Sequence, residues 1–252
     1  MSLLLSTLLA FGILNGGISS RPAPKEARLF ELRTYYAAPG KLDALNARFR
    51  DHTTKLFEKH GITNIGYWVP ADNKDNLLIY IIAFPSKEAR EVSWKAFAED
   101  PAWKAAREAS EVNGRLVDKV VSQFLNVTDY SSRIKPSVRK KERLFELRTY
   151  KTFPGKLEDL HTRFREHTIG IIKRLGAEIL GFWVPTTKEQ GSENTLVYLL
   201  AHKSKEKMQE MAEKFPKDPE WIKAKEESEQ NGKLVEKVES VLLTPVDYST
   251  IK

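Results

Sequence analysis

Arg28-Leu-Phe-Glu-Leu-Arg-Thr-Tyr35 recurs without a change as Arg143-Leu-Phe-Glu-Leu-Arg-Thr-Tyr150. Each copy opens a matching stretch of about a hundred residues, so the chain is a tandem repeat whose halves invite a pseudo-two-fold arrangement. Within the copies, Leu29 to Tyr36 and Leu144 to Lys151 alternate in side-chain direction and stop at Pro39-Gly40 and Pro154-Gly155, the signature of a strand closed by a turn. A helix follows in each. Leu42, Leu45, Phe49, His52 and Leu56 recur at steps of three and four, as do Leu157, Leu160, Phe164, His167 and Ile171, which predicts one buried stripe ending at Gly61 and Gly176.

Two short strands come next, Ile65 to Pro70 with Leu77 to Phe84, and Leu180 to Pro185 with Leu196 to His202. The loop between them is three residues longer in the second half, because Gly66 and Gly181 are offset by 115 whereas Tyr80 and Tyr198 are offset by 118. A second helical region starts near Ser86 or Ser204. Inside it Asp100-Pro101 and Asp218-Pro219 place an N-cap residue before a proline at the first helical position. A last strand, about Leu116 to Thr128 and Leu234 to Thr244, leads into Asp129-Tyr130-Ser131 and Asp247-Tyr248-Ser249.

Each half therefore reads β-α-β-β-α-β, the ferredoxin-like order, in an α+β chain. Such a sheet has one face under helices and one bare, yet these strands are apolar on both faces. The bare faces of the two halves should bury each other and form an α+β barrel within one chain. The expected boundaries are a leader at 1–20, a spacer at 21–26, repeats at 27–131 and 142–249, and a basic linker at 132–141.

Composition excludes several classes. At 252 residues, 41% hydrophobic and 30% charged, the chain is a globular protein, and its net charge of +7 comes partly from Arg133, Lys135, Arg139, Lys140 and Lys141 in the linker. Cations on a tether, without a basic folded face or a recognition module, argue against nucleic-acid binding. The absence of cysteine removes disulfides, thiolate metal sites and a cysteine nucleophile. His52 and His60 are eight residues apart and His161 and His167 six, which is not metal-ligand spacing, so neither a metal nor a cofactor is expected. No phosphate-binding glycine loop and no nucleophile turn is present. Leu3 to Leu14 is an apolar run too short for a membrane span, followed by small residues before Arg21. It reads as a signal peptide, with the mature protein exported to a periplasm or secreted and keeping no stable membrane span.

The motifs Phe-Glu-Leu-Arg-Thr-Tyr, Pro-Gly-Lys-Leu, Arg-Phe-Arg-Asp-His or Arg-Phe-Arg-Glu-His, Gly-Tyr-Trp-Val-Pro or Gly-Phe-Trp-Val-Pro, and Asp-Pro-Ala-Trp or Asp-Pro-Glu-Trp occur in this order. In them the chain resembles the NIPSNAP family over both halves. The resemblance implies a dimeric α+β barrel more firmly than it implies a reaction. Animal members are mitochondrial proteins linked to vesicle traffic and mitochondrial autophagy; the leader here lacks the arginines of a mitochondrial presequence, so that location is not carried over.

The candidate ligand-pocket residues are Glu31, Arg33, Tyr35, His52, Trp68 and Tyr80, with their counterparts Glu146, Arg148, Tyr150, His167, Trp183 and Tyr198. Glu31, Arg33 and Tyr35 share one face of their strand, opposite Phe30 and Leu32. With the apolar face on the helices, the polar trio would point into the space between the sheets, as an internal ion pair or as an anchor for an anionic ligand group. His52 and His167 interrupt an apolar stripe and should be at least partly buried, with a hydrogen-bond partner. Trp68, at a strand end, is the aromatic placed best for a pocket wall, whereas Trp103 and Trp221 read as core. The halves differ at Asn46 and His161, His60 and Leu175, Tyr67 and Phe182, Phe84 and His202, and Trp94 and Ala212, as a live and a degenerate pocket would and as simple drift would too. The reading is a non-catalytic protein that binds a small molecule or a protein partner through the barrel cavity or its rim, with homo-oligomerisation left open. The alternative is an enzyme with a His/Tyr/Arg pocket, by analogy with barrels of this type that act as cofactor-light monooxygenases, haem-degrading proteins or isomerases.

Overall fold

The computed structural model describes residues 28–139 and 143–252. The expected leader and spacer, and Lys140 and Lys141 of the linker, lie outside the described residues. The first repeat runs β1 (Leu29–Ala37), α1 (Leu42–Arg48), a π-helical segment (Phe49–Thr53), α2 (Thr54–Lys59), β2 (Thr63–Pro70), β3 (Leu77–Phe84), α3 (Lys87–Glu99), α4 (Pro101–Ser110) and β4 (Val117–Val127). The second repeats it as β5 (Leu144–Thr152), α5 (Leu157–Arg163), a π segment (Phe164–Thr168), α6 (Ile169–Arg174), β6 (Glu178–Pro185), β7 (Thr195–His202), α7 (Lys205–Lys214), α8 (Pro219–Ser228) and β8 (Val235–Pro245). Asp100 and Asp218 cap α4 and α8, accepting from Ala102 N at 2.8 Å and from Glu220 N at 3.0 Å.

The strands close a barrel in the order β1-β3-β2-β8-β5-β7-β6-β4. Each repeat supplies one antiparallel ferredoxin-like sheet, as the element order predicts. The seams are short: β2 meets β8 through Trp68, Val69 and Pro70, and β4 meets β6 through Leu125, Asn126 and Val127. The lumen is packed with apolar side chains from both sheets, among them Phe30, Trp68, Ile81, Phe145, Trp183 and Leu199. Two further clusters lie outside the sheets, one under each pair of helices. Strand β3 serves both layers, Ile79, Ile81 and Ala83 facing in and Leu78, Tyr80 and Ile82 facing out, hence its unbroken apolar run.

The closing segments interlock the halves. After β4, Thr128 N donates to Phe182 O and Phe182 N to Ser131 Oγ, both at 3.0 Å, while Arg165 reaches Asp129 at 3.2 Å. After β8, Val246 N donates to Tyr67 O at 3.1 Å, Tyr67 N to Ser249 Oγ at 2.9 Å, and Arg50 holds Asp247 at 2.7 and 2.8 Å. The Asn46/His161 difference falls on this clasp, because each takes the tyrosine hydroxyl of the other repeat: Tyr248 donates to Asn46 at 2.8 Å and Tyr130 lies 2.7 Å from His161 Nδ1. The linker is no free tether either, since Ser137 bridges to Ile251 and Arg139 pairs with Glu178 at 2.6 Å.

Three expectations are corrected. The polar trio faces the helices, and Phe30, Leu32, Phe145 and Leu147 take the lumen. A closed lumen offers no water to a carboxylate and a guanidinium, whereas the helix layer supplies partners for both. Trp68 and Trp183 are fully buried in the lumen and wall no pocket; a Cβ on Gly66 or Gly181 would come within 2.2 or 2.6 Å of the neighbouring indole, the physical reason for glycine there. His52 is exposed, because the π segment inserts an extra residue and turns Thr53 inward in its place. Thr53 Oγ1 donates to Arg48 O at 3.1 Å, and Thr168 does the same to Arg163 O at 3.2 Å. His167 is half-buried on the helix surface, 3.5 Å from Glu220.

Candidate functional site

Between the outer face of β5, β7 and β8 and the helices of the second repeat lies a cavity of about 500 Å³. Its polar floor starts from β5, where alternation sends Glu146, Arg148 and Tyr150 to one side. Glu146 is 7% exposed and accepts from Ser240 Oγ at 2.6 Å and Arg148 Nη1 at 2.5 Å, and its other oxygen lies 3.2 Å from His202 Nε2. Arg148 Nη2 donates to the Tyr150 hydroxyl at 3.1 Å, and the guanidinium carbon sits 5.4 Å from the Tyr150 ring and 5.9 Å from the Tyr198 ring. Ile172, Leu200, Met208, Met211, Phe215 and Leu242 form the apolar walls.

In the first repeat the equivalent space is occupied. Arg90 donates to Glu31 Oε2 through Nε at 2.8 Å, Trp94 Nε1 reaches the same oxygen at 3.3 Å, and Arg33 pairs with the other. The Arg33 guanidinium lies 4.6 Å from the Trp94 ring, which packs against Phe57 at 5.4 Å and Phe97 at 5.7 Å. Along the offset of 118, Met208 replaces Arg90, Ala212 replaces Trp94 and His202 replaces Phe84. Pro216, in place of Ala98, cannot continue a helix, so α7 ends at Lys214 whereas α3 runs on to Glu99. The cavity is the volume that these replacements vacate.

One consequence concerns Arg148. In the first repeat Arg33 Nε donates to the Tyr80 hydroxyl at 2.8 Å, whereas Arg148 Nε, buried at the floor of the cavity, has no hydrogen-bond partner in the protein. Nε is out of reach of a ligand, but the Arg148 side chain is 26% exposed, and a guanidinium beside apolar walls suits a ligand with an acceptor oxygen and an apolar body. Burial pushes the Tyr198 hydroxyl well up, so it stays protonated as a neutral neighbour.

Burial alone would raise the Glu146 carboxyl, but the His202 hydrogen bond, the Arg148 charge and the Ser240 hydroxyl outweigh it and hold it at about 2, against 4.5 for a free side chain. A carboxyl depressed in the folded state adds stability above its unfolded value, and loses it as pH falls through the folded one. The window here is pH 4.5 down to about 2. Glu146→Gln should therefore flatten the acid limb of the stability profile across that window, by up to roughly 3 kcal/mol. Urea titrations at pH 6, 4 and 3 read it, and a variant whose acid sensitivity matches wild type contradicts the assignment.

Of the residues singled out in the sequence, Glu146, Arg148, Tyr150 and Tyr198 meet in the cavity, and Glu31, Arg33, Tyr35 and Tyr80 form its packed counterpart. Trp68, Trp183 and His52 stand apart from both, and His167 borders only a surface groove. His202 and Ala212, marked as differences between the halves, prove to line the cavity, while Ser240, Met208 and Met211 had no signal of their own. Trp221, expected as core, is a half-buried wall of the cavity with Arg163 at 4.9 Å. Among the described residues no group of three or more potential metal ligands occurs, and no helix is long and apolar enough to cross a membrane.

The sequence model of the NIPSNAP family matches residues 30–132 and 145–250. Protein NipSnap homolog of Dictyostelium discoideum is 25% identical over 228 residues, which cover 88% of this chain and 89% of that protein. Among solved structures, a Lactobacillus acidophilus protein provisionally assigned as a monooxygenase superposes with a TM-score of 0.57 at 12% identity, over 87% of this chain and 94% of its own. One from Fusobacterium nucleatum with the same provisional assignment also gives 0.57, at 9% identity over 88% and 94%. At such identities the structural likeness concerns the fold.

Proposed function

This chain belongs to the NIPSNAP family, with one family domain in each repeat, and from that premise we propose that it is a non-catalytic binding protein whose second repeat holds a small molecule. The observation that carries the reading is the asymmetry between repeats: Trp94 and Arg90 fill one site, while its counterpart keeps a cavity of about 500 Å³ lined by the partly exposed Arg148 side chain. That volume lies within the usual range for small-molecule sites, roughly 300–1,000 Å³. The ligand fitting this chemistry has an acceptor oxygen, best anionic, and a flexible apolar body to lie along Met208 and Met211, since methionine adapts to irregular shapes.

Calorimetric titration with sodium decanoate tests it. Decanoate should bind once per chain, and decanol, which lacks the anionic oxygens, at least about tenfold more weakly, the effect of losing one charge-assisted hydrogen bond. Absence of heat with both, together with a bare polypeptide in native mass spectra of protein from its own source, contradicts the reading. His202 against Glu146 also favours a second reading, a proton-transfer enzyme in which the carboxylate orients the imidazole. Turnover of a bound molecule that is lost in His202→Gln while binding persists would select it. The apolar run at Leu3 to Leu14 supports export as part of the proposal, and N-terminal sequencing of the native protein should then start near Arg21.

A further inference from the structure

The two long final strands have different free edges. Strand β8 is paired along β5 from Val235 to Leu243, but on its other side it meets β2 only from Leu243 to Pro245. Strand β4 stands in the same position, paired along β1 and meeting β6 only from Leu125 to Val127. There the longer β6–β7 loop covers the edge at Ser122 and Phe124, and beyond it Val120 is 43% exposed. Gln190 Oε1 accepts from Phe124 N at 2.9 Å and its Nε2 donates to Ser122 O at 3.3 Å, so one side-chain amide stands in for a neighbouring strand. The β2–β3 loop is shorter by three residues, and among the described residues it reaches β8 through Ala71 N to Leu242 O at 2.8 Å. The Asn73 side-chain amide in that loop is spent on Leu77.

Ser122 corresponds to Ser240, so beyond Leu242, whose carbonyl Ala71 N already meets, the backbone groups of Ser240 and Val238 turn toward the open edge. Such a row of unmet donors and acceptors is a template for another strand. Around it Val238 is 44% exposed and Val241 36%, and Lys237 and Glu239 stand on one face, paired with each other at 2.5 Å.

We infer that this edge pairs antiparallel with the same edge of a second copy of the chain, about a two-fold axis at Val238. The sequence is self-complementary in that register. Lys237 lies opposite Glu239 of the second copy, Glu239 opposite Lys237, and Val238 opposite itself, with outward-facing backbone groups matched at Val238; the pairing stops short of the bulge that β8 carries between Val235 and Lys237. An isologous contact of this kind closes after two copies. The covered edge lacks the pattern, because Lys119 and Val121 occupy the positions of Lys237 and Glu239, so a two-fold there would set lysine against valine. The inference is independent of the ligand reading.

The test is sedimentation of the full chain between 5 and 200 µM, with three variants. Wild type should shift from monomer to dimer over this range. Glu239→Lys, which sets lysine against lysine, should lose the dimer, and Lys237→Glu with Glu239→Lys, which exchanges the signs, should regain it. Because the chain has no cysteine, Val238→Cys should cross-link to a covalent dimer on mild oxidation and Val120→Cys should not. A wild type that stays monomeric throughout, or a dimer indifferent to the single charge reversal, overturns the inference and leaves the edge to a strand of some other protein.

Discussion

Glu31→Ala is expected to cost roughly 3–5 kcal/mol of unfolding free energy, the penalty for leaving buried charge without its partner. Glu31 is fully buried and answers two guanidinium groups: Arg33 from the neighbouring strand position and Arg90 from α3. The side chains of both arginines are under a fifth exposed, at 13% and 16%, so water cannot replace the lost carboxylate at low cost. Trp94 closes the remaining approach with its ring against Arg33. The urea midpoint should fall with an unchanged slope, the mark of a stability change alone. The same change at Glu146 should cost less, because the Arg148 side chain is 26% exposed and borders a cavity that water can enter. Equal losses at the two sites would mean that the first repeat is as open as the second.

The second large effect is the removal of binding by Ala212→Trp. Residue 212 matches Trp94, whose indole fills the first repeat against Phe57, Phe84 and Phe97. An indole at 212 enters a cavity already edged by Ile172 and Phe215, so it should be accommodated with stability unchanged or raised, as filling a void restores contacts. Decanoate affinity should drop at least a hundredfold, about 2.7 kcal/mol. If the variant binds as wild type does, the ligand sits elsewhere. The reverse change, Trp94→Ala, should open a cavity under α3 at a stability cost, and because Glu31 is already met by Arg33 and Arg90 it should not create an equal site.

Much of the fold was legible because it repeats. An unchanged first strand, two Asp-Pro helix restarts and strands apolar on both faces lead to two ferredoxin-like sheets and their closure into a barrel. Which face of β1 the helices cover was not legible. Alternation separates Glu31, Arg33 and Tyr35 from Phe30 and Leu32 but does not say which set faces the lumen, and partners such as Arg90 lie far along the chain. The placement of His52 failed for a different reason. A stripe extrapolated at 3.6 residues per turn goes out of phase where Phe49–Thr53 winds as a π segment, and nothing local to the sequence announces the extra residue. The site itself was half visible. Glu146, Arg148, Tyr150 and Tyr198 stood out as residue types, and Phe84/His202 and Trp94/Ala212 as differences. That residues 208, 212 and 216 vacate one common volume is a property of α7 over the sheet, which only the packing shows.

The most direct test of the account is the anomalous bromine signal in crystals grown with 10-bromodecanoate. One peak per chain is predicted in the second repeat, among Met208, Met211 and Phe215, with the carboxylate at Arg148 and no peak under Trp94. A peak in the lumen beside Trp68 and Trp183, equal peaks in both repeats, or none at saturating ligand would contradict it.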